Sequence, residues 1–433
     1  MFASKDTLFT VPSGGYTISR SVRLRSSASA YFNRTLTTAT NNKIWTWSAW
    51  VKRGTIGADL CLFSGGTTSG DANTFNIRFS STDVINMSSD LTNWRITSQV
   101  FRDPSAWYHL VLSVDTTQAT AANRILFYVN GVQVTAFSTS NNPTQNTTLG
   151  VNTASAHNIG RRSFGSDLYL DGYLTEINFI DGQALTPSSF GSTNAITGVW
   201  QPAKYTGTYG TNGFYLNFSD NSNNTATTIG KDYSGNGNNW TPNNISVTSG
   251  STYDSMTDVP TLTSATAANY CVLNPLDHDA TYIPTYADGN LKGTTPTTSG
   301  GLMRGTMGVS SGKWYWEVTC LSATSNNTYI IGIATAQAAQ TFYLGQDAYG
   351  WGYYAVNGNK LANGATTSYG ATYATNDVIG IALDCDSGTL TFYKNGTSQG
   401  TAYSGLSGTF FPAVSDDSNS ATVSVAINFG QRP

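Results

Sequence analysis

The sequence predicts an all-β chain that folds into two antiparallel β-sandwiches, and three observations lead to this prediction. Apolar and polar residues alternate over many short stretches, which is the pattern of a strand with one buried face. The pattern Phe-Tyr-x-Asn-Gly occurs twice, at residues 127–131 and 392–396. No convincing amphipathic helix is present; the one helix-like candidate is residues 186–190, where Thr186 would cap and Pro187 would take the first helical position.

Each copy of the repeated pattern predicts a β-hairpin. An apolar strand ends in an aspartate, Asp115 in the first copy and Asp384 in the second, and the strand that follows runs into Asn-Gly. Asparagine and glycine both tolerate the positive φ angles of a type I′ turn, which suits the twist of the flanking strands. Two copies far apart in the chain indicate two sandwiches of one general kind.

The alternation also predicts which side chains enter the first core. One face of a half-buried strand is apolar: Trp45, Trp47, Ala49 and Val51. The opposite face is mostly polar: Thr46, Ser48 and Lys52. The four cysteines contain no C-x-x-C pair, so we expect buried small side chains rather than a zinc site or a disulfide framework: Cys61, Cys271, Cys320 and Cys385.

Composition argues against several classes of function. Charged residues make up only 11% of the chain, and the net charge of −3 offers no electrostatic attraction to nucleic acid or to an anionic membrane. The N-terminal residues show no cationic start followed by an apolar segment, so no secretory signal is expected. No apolar run approaches the length of about 18 residues that suggests a membrane-spanning helix.

Changes in composition predict four parts. Residues 1–20 form an N-terminal arm, residues 21–200 the first sandwich, and residues 256–433 the second. Residues 201–255 are a connecting segment rich in Gly, Asn and Thr, which either adds strands to the first sandwich or packs between the two. The arginines at the start of the chain either anchor an arm or are ordinary solvated strand charges, and the second alternative is favoured: Arg20, Arg23, Arg25 and Arg34.

Ordered blocks in the second half resemble the B30.2/SPRY family, a bent β-sandwich. They include the sequence Gly-Lys-Trp-Tyr-Trp-Glu-Val at residues 312–318, which is similar to the G-x-x-Y-W-E-V strand of that family, and the Asn-Gly hairpin at residues 390–396. Blocks in the first half resemble the LamG/concanavalin A-like jelly-roll sandwich. These are residues 45–52, 107–111, 126–131, 159–161 and 171–177.

The order of the two resemblances is similar to that of structural proteins of marine and cyanobacterial tailed phages. The resemblance implies a virion protein, made in a host cytoplasm and released by lysis, that contacts other virion proteins and forms a homo-oligomer, with a trimer favoured. It implies a tail fibre or surface appendage that binds a host glycan without catalysis. The alternatives are a capsid or tail decoration protein and, less favoured, a polysaccharide depolymerase.

Carboxylates argue against catalysis. Glycoside hydrolysis needs two carboxylates that flank the scissile bond, yet the chain contains only two glutamates, Glu176 and Glu317, one in each predicted sandwich. No catalytic residue is therefore assigned, and no cofactor is required. The LamG resemblance leaves open one calcium ion at the rim of the first sandwich, held by an aspartate. The candidate aspartates are Asp59, Asp71 and Asp167. The sequence does not choose among them, and for each a loop without metal is favoured.

Aromatic residues in a polar segment are the best binding signal. Aromatic faces offer flat apolar area, and amide and carboxylate groups can satisfy hydroxyls, so residues 342–357 could bind a glycan or a peptide. The candidate ligand-binding residues are Tyr343, Gln346, Asp347, Tyr349, Tyr354 and Asn357. For Trp351 core packing is favoured, and for Tyr343 and Tyr349 packing and binding are evenly balanced. A second tyrosine cluster could form an interdomain or intersubunit contact: Tyr205, Tyr209 and Tyr215.

Overall fold

A computed structural model describes residues 16–264, 266–297, 300–324, 327–418 and 420–433. Most of the predicted N-terminal arm, residues 1–15, lies outside the described residues. The described chain divides into two compact units, residues 16–269 and 270–433. The only helices in these ranges are three 3-10 turns, Ser26–Ala28, Ala121–Asn123 and Pro187–Ser189, so the all-β prediction is confirmed.

The first unit is a sandwich of two large antiparallel sheets. In chain order its strands are β1 (Ser21–Leu24), β2 (Tyr31–Thr35), β3 (Ile44–Arg53), β4 (Leu60–Gly65), β5 (Phe75–Phe79), β6 (Val84–Ser88), β7 (Asn93–Val100), β8 (Trp107–Asp115), β9 (Ile125–Val129), β10 (Val132–Gln133), β11 (Phe137–Ser140), β12 (Ala156–Ile159), β13 (Gly172–Asp181), β14 (Gly191–Thr193), β15 (Trp200–Pro202), β16 (Phe214–Leu216), β17 (Thr241–Asn243) and β18 (Ser255–Met256).

One large sheet has the order β10-β9-β8-β3-β13-β1-β18, with β16 also paired to β13, and the other has the order β11-β7-β6-β5-β4-β12-β2-β17. The predicted apolar face of β3 packs in the core between them, together with aromatic side chains such as Phe63 and Trp240. Residues of the predicted connecting segment supply β16, β17 and β18 to these sheets. Residues 256–269, grouped above with the second sandwich, lie in the first unit.

Strand β3 is buried on both faces, which corrects the expectation of a half-buried strand. Thr46, Ser48 and Lys52 are fully buried although they point away from the core. Side chains that follow β13, including Phe190 and Tyr205, form a second apolar cluster on the outer face of this sheet. The ammonium group of Lys52 is neutralised by the buried Asp258, with Nζ and Oδ2 2.8 Å apart.

The arginine within β1 and the one just after it are not solvated charges, which corrects the favoured alternative for these two. Arg23 and Arg25 are buried and both donate to the buried Asp254, at 3.1 and 2.8 Å. Arg34 donates to the backbone oxygen of Asn212 at 3.2 Å. These long-range pairs join the start of the sandwich to residues of the predicted connecting segment.

The second unit is a sandwich of a seven-stranded and a six-stranded sheet. Its strands are β19 (Thr285–Ala287), β20 (Lys292–Thr294), β21 (Gly300–Arg304), β22 (Lys313–Ala323), β23 (Tyr329–Ala334), β24 (Gly350–Tyr354), β25 (Asn359–Ala362), β26 (Ala365–Ser368), β27 (Val378–Asp384), β28 (Thr389–Lys394), β29 (Thr397–Tyr403), β30 (Phe411–Asp416) and β31 (Val423–Asn428). The sheet orders are β19-β20-β31-β22-β27-β28-β29 and β21-β30-β23-β24-β25-β26.

The cysteines are free thiols in both units. Cys61, Cys271 and Cys320 are buried as expected, whereas Cys385 is only partly buried because it lies in the turn just after β27. None of the described helices has the length and apolar character that a membrane-spanning helix needs.

Both predicted Asn-Gly hairpins are confirmed, and the two copies make the same contacts. Asn130 and Asn395 have φ angles of 48° and 49°, followed by glycines at 82° and 78°. In each copy the asparagine side chain accepts a hydrogen bond from a backbone N–H of the neighbouring strand at 2.8 Å, and its own N–H donates back to that residue at 2.8 Å. The repeated sequence therefore encodes the same pair of hydrogen bonds between the turn asparagine and the neighbouring strand in both sandwiches.

Replacing Asn130 with alanine is expected to destabilise the first sandwich by about 1–2 kcal/mol, because the backbone N–H of His109 loses its acceptor and alanine disfavours positive φ. Asn130→Asp is the control, since aspartate keeps the acceptor oxygen and tolerates this conformation. Urea denaturation measures both. Equal losses for the two variants would show that the side-chain oxygen is not what matters.

Candidate functional site

The predicted aromatic segment forms a loop between β23 and β24, residues 335–349, called the aromatic loop below. Asp347 organises it: its carboxylate accepts the backbone N–H of Ala339 at 2.8 Å and that of Tyr349 at 2.9 Å. The backbone N–H of Leu344 donates to the hydroxyl of Ser415 at 2.8 Å, and Leu344 itself is buried. Asp347 is thus occupied in holding the loop.

A partly buried ion pair supports the start of the same loop. Arg304 donates two hydrogen bonds to the carboxylate of Asp277, at 2.6 and 2.8 Å, and a third to the backbone oxygen of Thr335 at 2.6 Å. Gln340 donates to the same carboxylate at 2.7 Å. Sequence reasoning missed these three supporting side chains. The neighbouring His278 does not join them, and its Nδ1 lies 2.9 Å from the backbone oxygen of Asp279.

Two aromatic side chains of the loop remain open to solvent. Phe342 is 40% exposed and Tyr349 is 47% exposed, and the side chain of Gln346 is exposed as well. Tyr343 and Tyr354 pack against a buried apolar cluster that includes Leu344. The candidates therefore divide into side chains that hold the loop and side chains that it presents.

Tyr354 also donates its hydroxyl to Asp417 at 3.0 Å. Burial, and then the neighbouring Asp417 carboxylate, raise the pKa of Tyr354 above its usual range, so this side chain stays a neutral donor. Its role within the described structure is to tie β24 to the end of β30.

Asn357 does not join the others. It follows β24, whereas Tyr349 precedes it, and a strand of five residues separates the two by about 17 Å at roughly 3.3 Å per residue. Its side-chain oxygen accepts the backbone N–H of Asn359 at 3.0 Å, so it forms a turn. The six predicted residues therefore do not form one surface.

A polar cavity of about 290 Å³ lies near the Asn357 end of β24. Lys394 and Asp377 on its wall form an ion pair at 3.4 Å, and Lys394 also donates to the backbone oxygen of Thr372 at 2.8 Å. The exposed Val356 and the buried Tyr373 complete much of the lining. Trp351 is half-buried and packs edge-on against Phe410, which agrees with the favoured packing role.

The calcium candidates each make contacts within the protein, and calcium binding stays a prediction. Asp59 and Asp167 each pair with an arginine, Arg78 and Arg162. Asp71 accepts the backbone N–H groups of residues 91 and 92 at 2.8 and 3.1 Å. No group of three or more metal-ligating side chains occurs among the described residues. Each carboxylate is already used in holding a loop.

Two of the histidines are packed and neutral. His109 is buried, and burial lowers its pKa to about 3. The indole N–H of Trp200 donates to Nδ1 of His109 at 3.0 Å, so the imidazole proton lies on Nε2, which faces the hydroxyl of Ser48 at 2.9 Å. Burial likewise lowers the pKa of His157 to about 4. Neither side chain offers an accessible base.

The two glutamates lie in different units and have different surroundings. Glu176 is buried in β13 and contacts Tyr16 and Tyr215. Glu317 accepts the hydroxyl proton of Tyr315 at 2.9 Å on β22. Within each described unit, no second glutamate accompanies either one.

Fold and comparison define the class of each unit. Residues 24–189 match the family model of the concanavalin A-like lectin/glucanases superfamily, and residues 313–432 match that of the SPRY domain. The chain thus contains a concanavalin A-like domain followed by a SPRY domain, as the sequence resemblances implied.

Two animal proteins are similar to part of this chain. The chain is 32% identical over 125 residues to the Ran-binding proteins 9/10 homolog of Drosophila melanogaster, a match that covers 29% of this chain and 13% of that protein. It is 31% identical over 126 residues to Ran-binding protein 9 of Xenopus tropicalis, covering 29% of this chain and 23% of that protein. The match therefore spans less than a quarter of either relative.

Solved structures with a similar fold include two SPRY domains. The SPRY domain of human HERC1 is 23% identical, with a TM-score of 0.32, and the match covers 37% of this chain and 99% of that chain. The PSpry domain of TRIM65 is 17% identical, with a TM-score of 0.30, and the match covers 36% of this chain and 92% of that one.

The prediction of a phage tail fibre or virion appendage is wrong, because the curated relatives are animal Ran-binding proteins. Their names say that those proteins bind Ran. The predicted homo-oligomer stays a prediction.

Proposed function

We propose that this chain is a non-catalytic protein-interaction module whose second sandwich binds a segment of a partner protein through the aromatic loop. The observation that carries this proposal is the exposure of Phe342 and Tyr349 on a loop whose backbone is held by buried polar contacts. Aromatic side chains that become buried on binding commonly supply most of the affinity at protein interfaces.

The hydrogen bonds that hold the aromatic loop support the same role. A mobile loop would lose conformational freedom on binding, and that loss reduces affinity. Here Asp347 holds the loop's middle and end, while Arg304 and Asp277 hold its start. The partner would meet aromatic side chains that are already close to their bound positions.

The titratable side chains support the non-catalytic part of this proposal. Each unit contains a single glutamate, and the buried histidines are neutral at ordinary pH. The aspartates of the aromatic loop and its support are engaged in hydrogen bonds to the backbone or in ion pairs. These surroundings favour binding over general acid–base chemistry, which needs an accessible group that can exchange a proton.

Ran is a reasonable first partner to test, because the relatives are named for binding it. A randomised peptide library, selected on the immobilised chain, tests the broader proposal without assuming a partner. Both probes report on the same surface if the aromatic loop is the binding site.

Replacing both Phe342 and Tyr349 with alanine is expected to weaken binding of the selected peptides by about 30-fold or more, because each side chain is expected to contribute roughly 1–2 kcal/mol. Val356→Ala is the matched control: Val356 is 44% exposed but lies at the other end of β24. Fluorescence anisotropy gives the affinities, and a urea midpoint checks folding. Equal affinity for the double variant and wild type would place the binding site elsewhere.

A further inference from the structure

Glu176 occupies an unusual position in the first sandwich. Strand β13 is bulged there: Thr175 lies opposite Trp50 and Asn178 opposite Ser48, so two residues of β13 face the single residue between them on β3. Glu176 takes a φ of 53°, a left-handed conformation that glycine normally supplies at such bulges. Its side chain is nonetheless only 5% exposed. A glutamate here carries a backbone cost, which suggests that its carboxyl group has a use.

The bulge lies where two strands share one edge of β13. Strand β1 pairs with β13 as far as Leu174, and β16 pairs with it from Ile177 onward. Because β3 occupies the other edge along the whole strand, β1 and β16 must lie on the same side. Glu176 falls between them, at the point where neither strand pairs with β13.

Two tyrosines close around this carboxyl group. Tyr16 donates its hydroxyl proton to Oε2 at 2.6 Å, and the hydroxyl of Tyr215 lies 2.9 and 2.8 Å from Oε1 and Oε2. The two hydroxyls also contact each other. The three groups form three pairwise contacts, which two tyrosyl protons cannot all serve, whereas a protonated carboxyl group brings the third proton. The arrangement therefore fits the neutral form of Glu176.

The other groups around the cluster bring no cation to Glu176. Tyr209 stacks on Tyr215, with ring centroids 6.4 Å apart, and donates its hydroxyl to Asn178. Asp232 accepts the backbone N–H of Tyr215 at 2.8 Å. Arg20 donates to the hydroxyl of Ser255 instead. Among the described residues, the groups that act on the proton of Glu176 are the hydroxyls of Tyr16 and Tyr215.

Tyr16 belongs to a segment, residues 16–20, that lies along the first sandwich before β1. Ile18 is buried with Val259 and Ala267, and its backbone oxygen accepts the hydroxyl of Thr263 at 2.7 Å. The backbone oxygen of Arg20 accepts the hydroxyl of Thr175 at 2.8 Å, one residue before Glu176. The Glu176 cluster thus holds the leading end of this segment.

We propose that Glu176, Tyr16 and Tyr215 form a pH-sensitive latch that holds residues 16–20 on the first sandwich while Glu176 is protonated and loosens them when it ionises. Ionisation would leave the contact between the two hydroxyls without a proton and would put an unpaired charge at a buried position. Opening lets the carboxylate reach water. The latch controls whether residues 16–20 lie against the sandwich or leave it.

The direction of the pH dependence follows from the proton balance. Burial raises the pKa of Glu176 from 4.5 to about 7 in the closed form, against the partial opposing effect of the two tyrosine hydroxyls. The closed form therefore binds the proton more tightly than the open form. The latch is fully stabilised below about pH 4.5 and loses that stabilisation as pH rises toward 7, with the opening constant increasing on the order of 100-fold in total.

Hydrogen exchange of peptides covering residues 16–24, corrected for intrinsic rates and read by mass spectrometry at about pH 5 and about pH 9, tests the latch. In the wild type, opening is expected to increase on the order of 100-fold between the two conditions. Glu176→Gln keeps hydrogen-bonding groups without a titrating proton, so its opening is expected to be independent of pH. The same pH dependence in both proteins, or none in either, overturns the proposal.

Two further measurements cover the case in which the glutamine variant does not fold. Tyr16→Phe removes one hydroxyl and is expected to open the segment at both pH values without unfolding the sandwich. NMR of isotope-labelled glutamate carboxyls follows Glu176 directly in the wild type. A midpoint near 7 that coincides with faster exchange supports the latch, and a midpoint in the ordinary glutamate range overturns it.

Discussion

Replacing Asp254 with alanine is expected to destabilise the first sandwich by about 3–5 kcal/mol, because it removes a buried carboxylate that pairs with two buried guanidinium groups. Arg23 and Arg25 both donate to Asp254, and all three side chains are buried. The same carboxylate accepts the backbone N–H of Ser246 at 2.9 Å. In the variant, both guanidinium groups would lose the ion pair with this carboxylate while they remain in the interior.

Thermal and urea denaturation, followed by tryptophan fluorescence, measure this loss. Asp90→Ala is the control, because Asp90 lies at the surface, where its carboxylate accepts from Ser69 and Gly70. A surface substitution of this kind usually changes stability by less than about 0.5 kcal/mol. If the two variants lose the same stability, the buried pairs contribute little to the fold and the argument from burial fails.

Replacing Asp416 with asparagine is expected to make the second sandwich more stable than wild type above neutral pH, by on the order of 3 kcal/mol. Asp416 is fully buried at the end of β30 and accepts the hydroxyl of Thr295. Burial raises its pKa from 3.8 to about 7, although the bond from Thr295 acts in the opposite direction. The folded state therefore holds a proton that the unfolded state releases at lower pH.

This proton balance sets the sign of the effect. The stability that Asp416 contributes is complete below about pH 4 and is lost as pH rises through 7, whereas asparagine does not titrate. Wild type and Asp416→Asn should have similar stability near pH 5 and should diverge near pH 9. Hydrogen exchange of peptides covering β30 and β31 reports on this unit separately from Glu176. The control is Asp417→Asn, which alters the adjacent, less buried carboxylate. If Asp417→Asn diverges in stability from wild type near pH 9 and Asp416→Asn does not, the prediction for Asp416 is wrong.

Short-range patterns predicted much of this fold. The Asn-Gly turns at Asn130 and Asn395 depend on the φ preferences of two residues and on strands directly beside them, so the sequence is sufficient to place them. The inward face of β3 follows from a period of two. Its outer face does not, because the residues that cover it, such as Phe190 and Tyr205, come from a different part of the chain.

The aromatic loop was predictable as a segment but not in its details. Composition drew attention to Tyr349 and its neighbours, and the structure leaves Phe342 and Tyr349 exposed. The role of Asp347 as the centre of the loop's hydrogen bonds depends on backbone geometry that composition does not contain. The separation of Asn357 from the loop depends on the length of β24, which lies between them.

The sequence by itself determined the class of this protein: two β-sandwiches, their Asn-Gly hairpins and the strand faces that form the first core. Only the tertiary structure decided which charged groups are buried and what they contact. Arg23 meets Asp254 across 231 positions of the chain, and Glu176 meets Tyr16 across 160. The physical reason is that the energy of a charge depends on burial and on its nearest partners, and both are set by chain segments that no local pattern brings together.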